Sequence, residues 1–338
     1  MGKKIRFSTQ LIFGRILPIL LFLAIYFITP IYASNYVMTI VNMVLIYFLG
    51  AIGISLLMGM GGHLSFASIS FMGIGAFLAA QMAKTYGINP VLAIVLSVLF
   101  TSIFSFLLGL LLLRLSGPFF LFSTIAFAQI MANVFLTFKP LSNGADGVYG
   151  IPKMVLFGIL FDDLRTWFYL LAVIVVIIAL IVERIRRSVL GRSLMSIRDN
   201  EVAAKTLGVD VYRTKVIAFV IANAFAALGG AILSFHNDAV SASLFTLEIS
   251  QRFLVMVMLG GVNSTFGTFL GTSLITALPE WLRPLQQYLN IFFGVGLILM
   301  MIYMPMGLTG IFTQTMKKIT NKLRKRSEDA KHAVSTES

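Results

Sequence analysis

The sequence predicts an all-α polytopic membrane protein of about ten transmembrane helices, and three observations carry that reading. The 338-residue chain is 58% hydrophobic and only 12% charged, where a soluble domain averages about 25% charged. Charge this sparse cannot cover a globular surface, so most of the surface faces lipid, in keeping with a mean hydropathy of +0.94. Apolar runs of the length needed to cross a bilayer, roughly 20 residues as a helix, recur along the chain. Finally, nearly all of the 26 Lys and Arg residues fall between these runs or at their edges, and concentrate on alternate sides.

Taken in order, the spans lie at 15–33, 36–58, 63–83, 90–113, 118–137, 167–183, 215–235, 248–264, 265–280 and 288–306. The first follows Lys3, Lys4 and Arg6 and ends near Tyr32-Ala33-Ser34, so a cleaved signal peptide is the alternative to a retained span. The third and ninth are poor in apolar residues and rich in Gly and Ser, and are expected to be broken or re-entrant. Basic residues accumulate on the cytoplasmic side of membrane proteins. With both termini inside, Lys84, Lys139, Lys153, Arg165 and Arg283 fall outside and Arg252 falls in a span; the remaining twenty lie in the cytoplasm. The net charge of +13 thus reads as membrane orientation and not as nucleic-acid binding. An external loop is expected at 138–166, rich in turn residues such as Asn143-Gly144 and Asp146-Gly147. A basic cytoplasmic tail is expected at 316–338, resting on anionic lipid.

The cytoplasmic loop 184–214 carries most information. Leu190, Leu194, Ile197, Ala204 and Leu207 recur at helical spacing. Arg198, Glu201 and Lys205 form a second stripe, with Glu201 and Lys205 an i, i+4 pair in the favourable order. Gly208 stands where a left-handed residue closes a helix. One short amphipathic helix is expected, either lying on headgroups or docking on a cytoplasmic partner. A headgroup helix favours uniform positive charge, so Asp199 and Glu201 speak for the protein partner; the residues alone leave both readings open.

Within the spans, Ser65, Ser68 and Ser70 lie among glycines, and Gln129 and Asn133 stand four apart on the fifth span. Small and hydroxyl residues pack helices closely, or line a watery path where the backbone is irregular. Asn223 is the other strongly polar residue well inside a span, and Gly267 and Gly271 form a GxxxG. Spans one to seven and ten hold no acid apart from Glu183 at an end, while Glu248 and Arg252 are placed to pair. Ion-coupled carriers place ionisable groups or exposed carbonyls at mid-membrane, which counts against a carrier acting alone. Gly2-Lys3 is the only Gly-Lys and cannot be a nucleotide-binding loop, and no HExxH or GxSxG occurs. The absence of cysteine excludes disulfides and thiolate metal sites. His63 reads as a polar cap, and His236 with Asp238 falls short of a metal site. The chain is therefore expected to be non-catalytic, with no metal or cofactor of its own.

The stretch GRSLMSIRDNEVAAKTLGVDVYRTKVIAFVIANAFAALGGAILSF (191–235) resembles the core of branched-chain amino acid ABC transporter permeases. Similar blocks occur in order: GGHLSFASISFMGIGAFLAA (61–80), FSTIAFAQIMANV (122–134), SNGADGVYGIP (142–152), VMVMLGGVNSTFGTFLGT (255–272) and MPMGLTGI (304–311). The chain departs from the family pattern at Ala67-Ser68, where Gly-His is frequent, at Met306, where Arg is frequent, and at Arg252, near a position that is often acidic. The resemblance implies two inverted five-helix halves and a bacterial cytoplasmic (inner) membrane location. It also implies a second homologous permease subunit, two cytoplasmic ATPases that bind ATP and magnesium, and an external solute-binding protein. EVAAKTLG (201–208) resembles the family's coupling helix, which implies ATPase contacts at Arg198, Asp199, Glu201, Ala203, Ala204 and Gly208. Ser65, Ser68, Ser70, Gln129 and Asn133 are then candidates for the translocation path. Hydrophobic amino acids are the expected solute. Urea or short amides are the alternative cargo, and an ATP-independent channel or secondary carrier the alternative mechanism.

Overall fold

A computed structural model describes residues 33–281, apart from Ser116 and Phe157. The expected first and tenth spans, Arg283, the 304–311 block and the 316–338 tail lie outside the described residues. The described part is helical almost throughout: α1 (Asn35–Ser55), continued by a π turn (Leu56–Met60), α2 (Ser68–Lys84), α3 (Pro90–Leu112), α4 (Pro118–Thr137), α5 (Lys139–Ser142), α6 (Leu164–Arg187), α7 (Val189–Asp199), α8 (Glu201–Thr206), α9 (Val211–His236), α10 (Leu247–Gly260) and α11 (Thr265–Trp281). Spans two to nine of the sequence reading each find a helix. Among the described residues, five helices are long and apolar enough to cross a membrane: α1 with its π turn, α3, α4, α6 and α9. The third span starts late, because residues 63–67 are not helical. The ninth is one helix with Pro279 near its end, and the eighth is the shortest, at 14 residues.

Caps set the boundaries. Asn89 Oδ1 accepts from Val91 N–H ahead of Pro90, and Ser34 and Thr246 cap α1 and α10 in the same way. α9 is the central helix, packing on α1, α2 and α3. On α3, Ala93, Ser97, Thr101, Ser105 and Gly109 repeat every fourth residue and are buried, so a seam of small side chains lets the backbones approach. Asn223 of α9 crosses this seam and donates to Ser105 Oγ at 2.9 Å. The opposite side of α3 presents Leu92, Val95, Leu99, Ile103 and Leu111 outward, as a lipid-facing surface requires. A Cβ added at Gly230 would come within 1.8 Å of Met72 O, which fixes the α2–α9 crossing. A Cβ added at Gly271 would likewise come within 1.9 Å of Met256 O, where α10 meets α11, so the GxxxG serves helix contact. α4 sits at the edge, held by ring contacts Phe71–Phe127 and Phe77–Phe135.

At one end, four short strands follow the helices: β1 (Val148–Tyr149), β2 (Val155–Leu156), β3 (Ile159–Leu160) and β4 (Ala239–Val240). β1 pairs antiparallel with β4, and β2 with β3. Nearby, Asn42 donates to Leu164 O at 2.9 Å and meets His236 Nε2 at 3.3 Å. At the other, basic end lie the π turn, residues 61–67, the 261–264 turn and the α7–α8 pair.

Candidate functional site: the α7–α8 segment at the basic end

The loop expected as one helix is two. Asn200 adopts an extended conformation (φ −160°) and its side chain accepts from Ala203 N–H at 3.0 Å, so it caps α8 and interrupts the run. This corrects the expectation of a continuous helix across 190–208. Ser188 caps α7. Behind α8, Gly208 (φ +83°) donates to Lys205 O at 3.0 Å and Val209 N–H to Ala204 O at 3.1 Å. This pair of bonds is a Schellman motif, with Val209 packed on Ala204 as the motif prefers. Gly208 therefore does what its sequence position predicted.

Leu194, Ile197 and Ala204 are buried, so the inward half of the predicted stripe holds. Its last member does not: Leu207 is 80% exposed, and Val202, beside it on α8, is 72% exposed. Two bulky apolar side chains thus stand outward, one on a six-residue helix and one at its C-cap.

The six residues assigned to ATPase contact divide into three groups. Asp199, Ala203 and Gly208 are exposed, while Ala204 is fully buried against Ile197 and Val211. Arg198 and Glu201 reach back to the helix bundle. Arg198 Nη1 donates to Gly59 O at 2.5 Å and to Asn263 Oδ1 at 3.1 Å, and its other nitrogens lean on Asp199. Its stem fills the space over Gly62, whose φ of +69° and lack of a side chain leave room; a Cβ there would lie 2.6 Å from Arg198 Cγ. Ser55 Oγ donates to Val262 O at 3.0 Å, so the π turn and the 261–264 turn are themselves joined. Glu201 bonds Lys215 of α9 at 2.8 Å and Lys205 at 3.3 Å. The Lys215 hydrogen bond holds the Glu201 carboxyl below its usual range, and Lys205 adds to the effect. Arg198, Glu201 and the Schellman turn thus fasten the segment to α1, α9 and the α10–α11 turn.

His63 sits at this end, edge-on to Phe120 and hydrogen-bonded through Nδ1 to Gly61 O. Burial, and next the Lys215 charge, lower its pKa, so it is a neutral cap here.

The path candidates do not share a cavity in this conformation. Ser65, Ser68 and Ser70 are buried among helices. Ser65 Oγ accepts from Ala67 N–H at 3.3 Å, ahead of α2. Gln129 and Asn133 lie on the outward face of α4, where Asn133 Nδ2 donates to Gln129 O at 3.0 Å. Glu248 and Arg252 form their expected ion pair at 2.9 Å.

Sequence reasoning missed Lys215, Asn263, Asn200 and the outward pair Val202 and Leu207. Asn200 was legible, since Asn directly before a helical run is a cap signal. Lys215 and Asn263 are far from their partners in sequence and left no periodic trace.

Five helices long and apolar enough to cross a membrane, with a short helix pair fastened across one end of the bundle, have the architecture of a multi-pass membrane protein. A family model described as the branched-chain amino acid transport system / permease component matches residues 36–304, and the chain belongs to that family. Among curated relatives, the chain is 30% identical to the high-affinity branched-chain amino acid transport system permease protein LivM of Salmonella typhimurium, over 82% of this chain and 71% of that one. It is 29% identical to the protein of that name from Escherichia coli, with the same coverage. It is 26% identical to the probable LivM of Methanocaldococcus jannaschii, over 76% of this chain and 84% of that one. No solved structure matches it with significance.

Proposed function

We propose that this chain is a translocation subunit of an ATP-driven importer for branched-chain or other hydrophobic amino acids, in a bacterial cytoplasmic membrane with the basic end inside. In this reading it has ten spans in two inverted five-helix halves. It works with a second permease, two ATPases that carry ATP and magnesium, and an external binding protein that selects the solute. The observation that carries the reading is α8: exposed Val202 and Leu207 on a helix locked to the bundle at several points. A helix resting freely on headgroups needs no such fastening, whereas a lever must pass force to what it moves. ATP-driven closure of the ATPases pushes α7–α8. Arg198 and Glu201 pass the movement to α1, α9 and the 261–264 turn, and the bundle opens alternately to each side. Asp199, Ala203, Gly208, Val202 and Leu207 meet the ATPase, while Ala204 serves beneath them as packing.

Gln129 and Asn133, outward on α4, face the second permease, and the path runs between the two subunits. Ser65, Ser68 and Ser70 join it when α2 moves. The Glu248–Arg252 pair cancels its own charge, so Arg252 does not by itself demand an anionic solute.

The test is co-purification and uptake with all subunits present. Val202→Asp and Leu207→Asp should each remove the ATPases from the complex, while the two permeases stay together in the membrane. Unchanged association and uptake in both variants would end the proposal. Competition among leucine, glutamate and urea then fixes the solute class.

A further inference from the structure

We infer that the β2–β3 hairpin of the external loop is a membrane-surface anchor whose apolar tip dips into the outer headgroup and acyl boundary. The inference rests on the membrane reading alone and not on ATPase coupling. The hairpin has a rooted base. Lys153 and Asp162 close it as an ion pair, Met154 and Phe161 are buried, and Phe161 N–H donates to Met154 O at 2.9 Å. Phe161 also stands edge-on to Trp167 of α6, with ring centroids 5.5 Å apart. Beyond that base the strands pair Val155 with Leu160 and Leu156 with Ile159.

A short antiparallel pair in water shows one apolar and one polar face. Here the two cross-strand pairs lie on opposite faces and all four residues are apolar. Val155, Ile159 and Leu160 are 46%, 56% and 51% exposed. The sequence of the tip, VLFGILF (155–161), contains no polar side chain. Charge is confined to the base and the Asp163 that follows.

What covers the tip is indicated by its neighbour. β2 packs against α3, whose outward stripe of Leu92, Val95 and Leu99 faces lipid, so the hairpin continues an apolar surface already in the bilayer. Tyr86, 75% exposed in the turn between α2 and α3, stands at this end of the bundle, where amphipathic rings mark headgroup depth. An apolar tip with a charged base is the distribution that interfacial insertion selects. A protein-docking surface would instead be expected to carry polar groups for register.

The chain has no cysteine, so a single introduced one reports alone. Nitroxide labels on Ile159→Cys and Leu160→Cys are measured in the full chain reconstituted in vesicles without other proteins. Leu99→Cys is the lipid reference and Asp163→Cys the aqueous one. Relaxation by oxygen, which partitions into lipid, is compared with relaxation by a nickel chelate, which stays in water. We expect the oxygen-to-nickel ratio at 159 and 160 to approach that of Leu99 and to exceed that of Asp163 several-fold. Ratios at both positions equal to Asp163 would overturn the inference. Shielding that arises only when an external binding protein is added would overturn it equally, and assign the tip to that protein.

Discussion

In the proposed mechanism Arg198 separates docking from transmission. Its Nη1 donates to two acceptors on different elements, Gly59 O and Asn263 Oδ1, while Nε and Nη2 hold Asp199, and Asp199 and Ala203 are exposed. A hydrogen bond to a charged donor contributes about 1.5–3 kcal/mol, less here because the group is partly exposed. Arg198→Ala should therefore leave the ATPases bound but lower the solute moved per ATP hydrolysed. Arg198→Lys should not restore it, since an ammonium lacks the planar fork. Loss of ATPase binding in Arg198→Ala would instead make it a contact residue. His63 makes a second statement at this scale. Its folded pKa lies below the ordinary histidine value of 6.5 through burial and the Lys215 charge. The unfolded chain then binds the proton first, so stability is complete above about 6.5 and falls as pH drops below it. Glu201, with its pKa lowered, keeps its contribution until pH falls below its ordinary value of 4.5. Thermal melts of the detergent-solubilised protein should lose midpoint between pH 7 and 5, and His63→Gln should flatten that slope. An unchanged slope would remove His63 as its source.

At the scale of the element, α8 is too short to persist on its own intrinsic propensity; its two ends hold it. Asn200→Ala removes the cap at a cost of about 1 kcal/mol. Gly208→Ala forces a Cβ into the left-handed region at φ +83°, costing about 1–2 kcal/mol. Either change should speed amide hydrogen exchange across Ala203–Lys205, with exchange in α9 unchanged. Slow exchange in both variants would mean that burial of Ala204 and the Lys215 bond suffice. Legibility stopped at the middle of this segment. Gly208 declared the C-terminal turn because only a glycine adopts that conformation freely. Periodicity, however, carried Leu190 to Leu207 through Asn200 as one helix. The break leaves Leu207 80% exposed, so its sequence position pointed to the core while the structure turns it outward. Glu201 was read with Lys205 because local spacing reveals i, i+4 pairs; its part-buried bond to Lys215 is tertiary and has no local signature.

Across the described residues, the helices at the expected spans two to nine were legible because the bilayer imposes length and apolarity together. Packing partners were not, since lipid-facing and helix-facing surfaces are equally apolar; the GxxxG marked one contact, while the small-residue seam of α3 went unread. Gln129 and Asn133 were legible as a pair, but not as an outward pair on α4. The interior itself bears on energy supply. Among the described residues, the fully buried polar side chains are Asn, Ser and Thr, and no carboxylate is among them. A carrier that draws on a proton gradient needs a group that binds and releases the proton inside the membrane. A bundle whose described buried polarity is neutral offers no such group in this region, which supports the proposal that the force enters through α7–α8. The chain reconstituted alone, under an imposed proton or sodium gradient, should show no leucine uptake above protein-free vesicles. Adding the second permease, the ATPases, the binding protein and ATP should produce uptake, and Glu201→Lys should abolish it by placing a cation against Lys215 while insertion persists. Restoration by Lys215→Glu in the same chain would locate the defect in that bond. Gradient-driven uptake by the chain alone would defeat the argument, because the energy would then be entering through the membrane interior.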